Sequence, residues 1–137
     1  MLILLKVGKY DPRLTPLMRK HYSKPLGFVG RSICYLVFWM FGNHPVLYGA
    51  IAAGSATRFL PGRDSVLIST LGLNHIVNNI FFHVEPANGS YPRRNFTSYV
   101  LSEFRERVRR DWFKKYNDLV LGFESLVELP RTGECYR

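Results

Sequence analysis

Polar side chains set inside apolar runs are where this sequence could do chemistry. Asn78-Asn79 stands in the β-branched and aromatic run Leu73–Glu85, and Glu124 and Glu128 stand in the run Leu119–Leu129. A strand alternates its faces with period two, so Glu124 and Glu128 share a face. A buried amide pair needs partners for its donors and acceptors. Backbone groups can supply them; alternatively the amides position a base or an acyl group. His21-Tyr22 lies at the end of an expected helix, next to a loop carrying Gly27 and Gly30. Beside a carboxylate such as Glu128, the two would give an N and O donor set suited to a divalent or ferric ion. A histidine near a carboxylate would also suit proton transfer at neutral pH. Separate surface or packing roles are the alternative for all three. No Ser-His-Asp or Cys-His arrangement can be assembled, and no H-E-x-x-H, P-loop or G-x-G-x-x-G is present.

The second group of candidates is cationic. Lys and Arg number 19 against 10 Asp and Glu, a formal net charge of +9. That balance favours a polyanionic partner, with nucleic acid first, an anionic membrane second and a phosphorylated cofactor third. The breaker cluster Pro86–Ser90 precedes a helical pattern over Tyr91–Tyr116. This spacing sets a helix N-terminus beside the end of a strand, where free N–H groups and the helix dipole form an anion site. Arg93 and Arg94 fall in that expected first turn, where acidic residues are usual, so a negatively charged ligand is expected there. Further along, Arg105, Arg109, Arg110 and Lys114 lie off the apolar stripe and are the residues expected to hold a DNA backbone.

The elements that must position these groups follow from patterning. Leu2–Val7 reads as a strand, and Asp11-Pro12 as the cap and first position of a helix ending near His21. Ile33–Phe41 and Val46–Ala56 read as a hairpin around the turn Gly42–Pro45. The second run is rich in small residues, and glycine there marks a bulge or a close approach. Leu73–Glu85 is the strand around which the chain is organised. In the long helix Phe96, Val100, Phe104, Val108, Trp112 and Tyr116 recur every fourth residue as a core-facing stripe. Leu119–Leu129 is a last strand. The 137 residues make one domain. Cys34 and Cys135 form no C-x-x-C pair and are expected to be thiols in a reducing cytoplasm. Met1–Lys6 is too short for a signal peptide, and the nine-residue run Ile33–Phe41 is too short to span a bilayer, so no membrane partner is expected.

The order β-α-β-β-β-α-β resembles the core of GNAT-type acyltransferases, an α/β fold with a mixed, mostly antiparallel sheet and a long helix. In that fold the turn after the organising strand grips the pyrophosphate of an acyl-coenzyme A. Here that turn carries Gly89 rather than a glycine-rich run. His21-Tyr22-Ser23, the Gly27–Gly30 loop and the Leu36-Val37, Gly42 and Gly49 hairpin resemble the Mom family of phage DNA-modifying proteins. An overlapping set resembles DruA-type proteins of anti-phage defence. It comprises Arg63-Asp64, Val77-Asn78-Asn79, Asp111-Trp112, Glu124–Glu128 and Thr132–Arg137.

The Mom-like resemblance implies acyl-type transfer to the exocyclic amine of adenine in DNA, protecting phage DNA from restriction. Asn79, Glu124 and His21 are then the expected catalytic or positioning groups, and the resemblance implies iron at His21, Tyr22 and Glu128. It also implies an acyl-coenzyme A-type donor on Tyr91, Pro92, Arg93, Arg94, Asn95 and Ser98. Duplex DNA is the expected partner, with a homodimer also considered. Ile80-Phe81-Phe82 stands where the family has an arginine, and the family pattern continues past Arg137, so the expected core lacks its last helix and strands. The alternative is a non-enzymatic DNA-binding module of DruA-like type.

Overall fold

The computed structural model describes residues 1–21, 30–55 and 75–124, with residues 18–21 at the level of the backbone. Five strands form one sheet in chain order: β1 (Leu2–Val7), β2 (Ser32–Phe41), β3 (His44–Ser55), β4 (Ile76–Val84) and β5 (Gly122–Glu124). The first four are antiparallel neighbours, and β5 runs parallel to β4. Antiparallel neighbours can be joined by tight turns, but a parallel pair needs a crossover. Here α2 (Phe96–Tyr116) is the crossover, while α1 (Leu14–His21) links β1 to β2. The chain is therefore α/β with a mixed, mostly antiparallel sheet, as the patterning implies.

Each helix takes one face of the sheet. Leu4, Ile33, Tyr35, Val37, Ile51 and Val77 meet the buried stripe Phe96, Val100, Phe104, Val108 and Trp112 of α2. These five stripe residues are each at most 2% exposed, as their four-residue spacing predicts. On the other face Leu14 and Leu17 of α1 pack with Cys34, Leu36, Ala50, Ala52 and Phe81. The alternation along β2 (Tyr35 and Val37 to one cluster, Cys34 and Leu36 to the other) is the strand period made visible.

Several boundaries differ from the sequence reading, each for a local reason. The long helix starts at Phe96, not Tyr91. Asn88 and Gly89 both have positive φ, 52° and 80°, and Ala87 and Ser90 exchange two backbone hydrogen bonds of 3.1 Å across them. That is the geometry of a two-residue Asn-Gly hairpin turn, which reverses the chain before any helix can begin. The first helix starts at Leu14 rather than Pro12, because the Asp11 carboxylate accepts from the Arg13 amide at 2.9 Å and holds an open turn first. The β2–β3 hairpin turns on Gly42-Asn43 alone: Phe41 pairs with His44, and Gly42 has a φ of 61°. His44-Pro45 is thus strand, at its exposed start, where a proline costs no ladder bond. Of the expected last strand, Gly122–Glu124 is described; its continuation to Leu129 lies outside the described residues.

Gly49 fulfils the close approach read from the sequence. A β-carbon there would lie 1.9 Å from the His83 carbonyl oxygen of β4. Only glycine lets the two backbones come that near. Among the described residues no helix is long and apolar enough to cross a membrane.

Candidate functional site

β4 and the segment after it carry Asn79 and the residues expected to bind the donor phosphates. The pairing of β3 with β4 slips between Ala52/Phe81 and Ala53/Asn79, leaving Ile80 as an extra residue. This is a β-bulge, a device that bends a strand and re-aims its side chains. Asn79 sits at its shoulder. Both of its amide hydrogens are committed to backbone: Nδ2 donates to the Ala52 carbonyl at 3.0 Å and to that of Phe81 at 2.9 Å. Asn79 therefore fastens the bulge, the backbone role expected of a strand amide. Glu124 stands opposite Asn78 in the short parallel register of β4 and β5, and Asn78 is 8% exposed.

The segment expected to grip a phosphate leaves β4 through the Asn88-Gly89 turn. The amides of Ala87 and Ser90 are used across that turn. Tyr91, Pro92, Arg93 and Arg94 form an irregular run ahead of the helix rather than its first turn. Asn95 is the N-cap residue, left-handed at φ 54°, and its side chain makes no cap hydrogen bond. No acidic residue occupies the first turn. Ser98 lies in that turn and is exposed. The Arg93 guanidinium lies 4.0 Å from the Tyr99 ring centre, and its Nε donates to the Arg94 carbonyl at 3.2 Å. Stacking and this bond hold the planar group in a fixed orientation. Tyr91 is 40% exposed and donates its hydroxyl to the Val84 carbonyl at 3.3 Å.

The four expected DNA contacts form two pairs at four-residue spacing on α2. Arg105 with Arg109 and Arg110 with Lys114 lie on different flanks of the helix, roughly 140° apart by its 3.6-residue period. Arg109 lies over the Phe123 ring at 5.6 Å, on the β5 side. Arg110 lines a groove of about 290 Å³ at β1, with Leu2, Leu4, Glu103, Glu106 and Arg107. Two glutamates in that groove lower its attraction for a phosphate.

His21 closes α1, but its side chain, Tyr22 and Glu128 lie outside the described residues. Of the DruA-like set, Arg63-Asp64, Ser125–Glu128 and Thr132–Arg137 lie there too. Among the described residues no group of three or more His, Cys, Asp or Glu side chains is placed to hold a metal ion. Cys34 is buried at 1% exposure, and burial pushes its thiol up to about 11, so it is an inert core residue.

Two arrangements escape the sequence reading. One is a polar network inside the α2 face. The Tyr35 hydroxyl donates to Asp111 Oδ2 at 2.7 Å, Arg107 Nε donates to the same oxygen at 2.8 Å, and Arg107 Nη1 donates to the Leu4 carbonyl at 3.1 Å. Burial alone would raise the Asp111 carboxyl, but the bonds from Tyr35 and Arg107 outweigh it and hold it below its ordinary value. Burial, then the bond to Asp111, pushes the Tyr35 phenol well above its usual range. This network ties α2 to β1 and β2 and is structural. The other is His83 with Glu85, whose Nε2 and Oε2 lie 3.1 Å apart near the end of β4. A histidine and a glutamate two apart in a strand share a face, and that spacing is the available signal.

Comparison with protein-family models, with curated proteins and with solved structures finds no match.

Proposed function

We propose that this chain is a GNAT-like, Mom-like domain that transfers an acyl-type group to the exocyclic amine of adenine in DNA. The observation that carries the reading is the path of the sheet. Four antiparallel strands end with β4, a turn and α2 follow, and β5 returns parallel to β4. This is the ordering in which a GNAT-type core binds its donor, with the phosphates at the turn and helix start after the fourth strand. The bulge in β4 and the Asn79 bonds that fix it support the same reading. In the proposed site the open first turn of α2, with Arg93, Arg94 and Ser98, holds the donor phosphates through backbone amides and charge. Asn79 shapes the strand along which the donor arm lies, and Glu124 stands on the neighbouring strand. The outer cations Arg105, Arg109, Arg110 and Lys114 hold the DNA backbone. Iron at His21, Tyr22 and Glu128 belongs to what the Mom-like resemblance implies. The setting is the cytoplasm of a bacterium or phage-infected cell.

Mass analysis of nucleosides from DNA of cells expressing the chain tests the reading. An adenine adduct absent from control cells is expected. Unmodified nucleosides would remove the enzymatic reading.

A DNA-binding module without catalysis is the second reading. It is favoured by the Ala87–Ser90 turn, whose framing amides are already paired and offer a phosphate nothing. Both readings predict duplex binding that weakens steeply with salt, by about 0.9 decades of affinity per decade of salt for each phosphate neutralised. Binding that stays flat across a salt titration would exclude both.

A further inference from the structure

β1 carries an apolar ladder at one edge of the sheet, and its pairing with β2 tells which of its backbone groups face outward. Met1 and Met40 exchange two hydrogen bonds, of 2.8 and 3.2 Å. Along an antiparallel pair, residues that exchange bonds alternate with residues that do not. Ile3, Leu5 and Val7 therefore bond to β2, while Leu2, Leu4 and Lys6 present their N–H and C=O groups away from it. Arg107 Nη1 donates to the Leu4 carbonyl at 3.1 Å on that outer side. A carbonyl oxygen has two lone pairs, so this bond leaves Leu4 able to pair with a further strand. Among the described residues β2 is the one strand beside β1. An open row of this kind is a template for another strand.

The side chains along the edge point to what that strand is. Leu4 packs with the α2 cluster and Val7 with the α1 cluster, so alternation sets Ile3 and Leu5 on the α1 side. Leu5 is 41% exposed there. On the α2 side, Glu103, Glu106, Arg107 and Arg110 line the groove at Leu2 and Leu4. The four stand at i, i+3, i+4 and i+7, on one face of the helix. Their order is acid, acid, base, base. Turned end for end, the row meets itself with every charge opposed: Glu103 faces Arg110, and Glu106 faces Arg107. The centre of the row falls at Glu106-Arg107, and Arg107 reaches Leu4, the middle one of the three outward residues. The charge row and the strand ladder thus share one centre of symmetry.

We propose that a second copy of this chain occupies the edge, the two β1 strands running antiparallel about a twofold axis at Leu4. Leu4 pairs with Leu4, and Leu2 of each copy with Lys6 of the other. Ile3 of each copy packs against Leu5 of the other and covers the exposed apolar side chains. Neighbouring strands lie about 4.8 Å apart. α2 runs closest to β2, so each helix stands about 7 Å from the axis and the two run about 14 Å apart. A helix with its side chains is about 10–12 Å across, which brings the long Glu and Arg side chains of the two copies together. An isologous contact of this kind closes on itself and stops at two. It takes Arg110 from the cations given to DNA and leaves Arg105 and Arg109, on the other flank, open. The inference stands apart from the acyl-transfer reading, and the failure of either leaves the other untouched.

Sedimentation of the full chain over a range of about 1 μM to 1 mM tests it. The mass is expected to double with concentration, and a monomer throughout overturns the proposal. Glu103→Arg and Arg110→Glu each set like charges against each other at two symmetric places. Each is expected to weaken self-association roughly tenfold. Mixed in equal amounts, the two variants oppose unlike charges again and should associate as tightly as the wild type, which also shows that both are folded. Association that mixing does not restore overturns the proposal. Lys6→Pro removes an outward N–H and spares the β2 ladder, so undiminished association in that variant overturns pairing through β1. Hydrogen exchange at the Leu2, Leu4 and Lys6 amides should slow as the dimer forms. Slow exchange in a monomer would put a segment of the same chain on the edge and overturn the proposal.

Discussion

The two ends of α2 are built on different plans. The C-terminal end is fastened from several directions. Tyr116 Oη accepts from the Ser32 amide at 2.8 Å and donates to the Ser32 carbonyl at 3.1 Å. Lys115 Nζ donates to that same carbonyl at 3.0 Å, and Arg31 pairs with Asp118 while lying over the Tyr116 ring. Asn117 adopts the left-handed C-cap conformation, and its amide donates to the Phe113 carbonyl at 2.8 Å. Lys114 and Lys115 complement the negative end of the dipole. The N-terminal end has an uncapped Asn95, no acidic residue in its first turn, and two exposed arginines ahead of it. A helix needs one firm anchor to hold its place on a sheet. Anchoring it at the far end leaves the near end's partial charge available to a ligand.

Substitutions can break that contrast, and the largest effect belongs at the fastened end. Tyr116→Ala removes both bonds to Ser32, the Arg31 stacking and the Trp112 ring contact at 4.7 Å. A loss of about 3 kcal/mol is expected in denaturant unfolding. Tyr116→Phe keeps the ring and should cost about 1 kcal/mol. Equal losses from the two would show that the hydroxyl, not the ring, is the anchor.

Asp111→Asn sharpens the comparison from the middle of the helix. It weakens the bonds from Tyr35 and Arg107, with a loss of about 2 kcal/mol at neutral pH. The native Asp111 is held below its ordinary value, so its contribution is full above the unfolded carboxylate range. That contribution is lost as pH falls through the depressed native value. Acid titration of stability should therefore be shallower in Asp111→Asn than in the wild type. Identical curves would mean that other carboxylates govern acid unfolding.

The N-terminal end should respond in the opposite sense. Replacing Arg94 and Ser98 together should leave stability within about 0.5 kcal/mol, because both are exposed. The thermal shift given by an acyl-coenzyme A-type donor should disappear with them. That shift corresponds to about 2.7 kcal/mol at a hundredfold excess over Kd in the wild type. A retained shift would move the donor away from this end. The smallest effect is expected at Asn117→Gly, a gain of up to about 0.5 kcal/mol where the backbone is already left-handed. A loss there would point to a role for the Asn117 side chain.

How much is legible in the sequence follows the range of the interactions. The stripe Phe96 to Trp112 and the strand runs are readable because helix and strand periods are local. The helix start is not, because Tyr91–Asn95 continues a helical composition, while the Asn88-Gly89 turn and the left-handed Asn95 override it. The hairpin turn reads too long because Gly42–Pro45 holds three good turn formers, of which two residues suffice. The Tyr35–Asp111 bond joins residues 76 apart, and no pattern announces such a pair. Asn79 is legible as a strand amide in need of partners, yet which partners it finds depends on a bulge that spacing does not encode. For the His21, Tyr22 and Glu128 set, the described residues place only the His21 backbone, at the end of α1.

The placement of the two tryptophans gives the contrast between helix ends an optical form. Trp112 lies 2% exposed beside Tyr116 at the anchored end. Trp39 is half-buried, with its ring centre 6.1 Å from that of Phe96 and 6.5 Å from that of Tyr99, beside the open end. The chain holds two tryptophans, so each end of α2 carries one built-in fluorophore. With Trp112→Phe the remaining emission reports on the open end, and with Trp39→Phe it reports on the anchor. A donor settling near Arg93 and Tyr99 would then be seen as a change in the first signal and silence in the second.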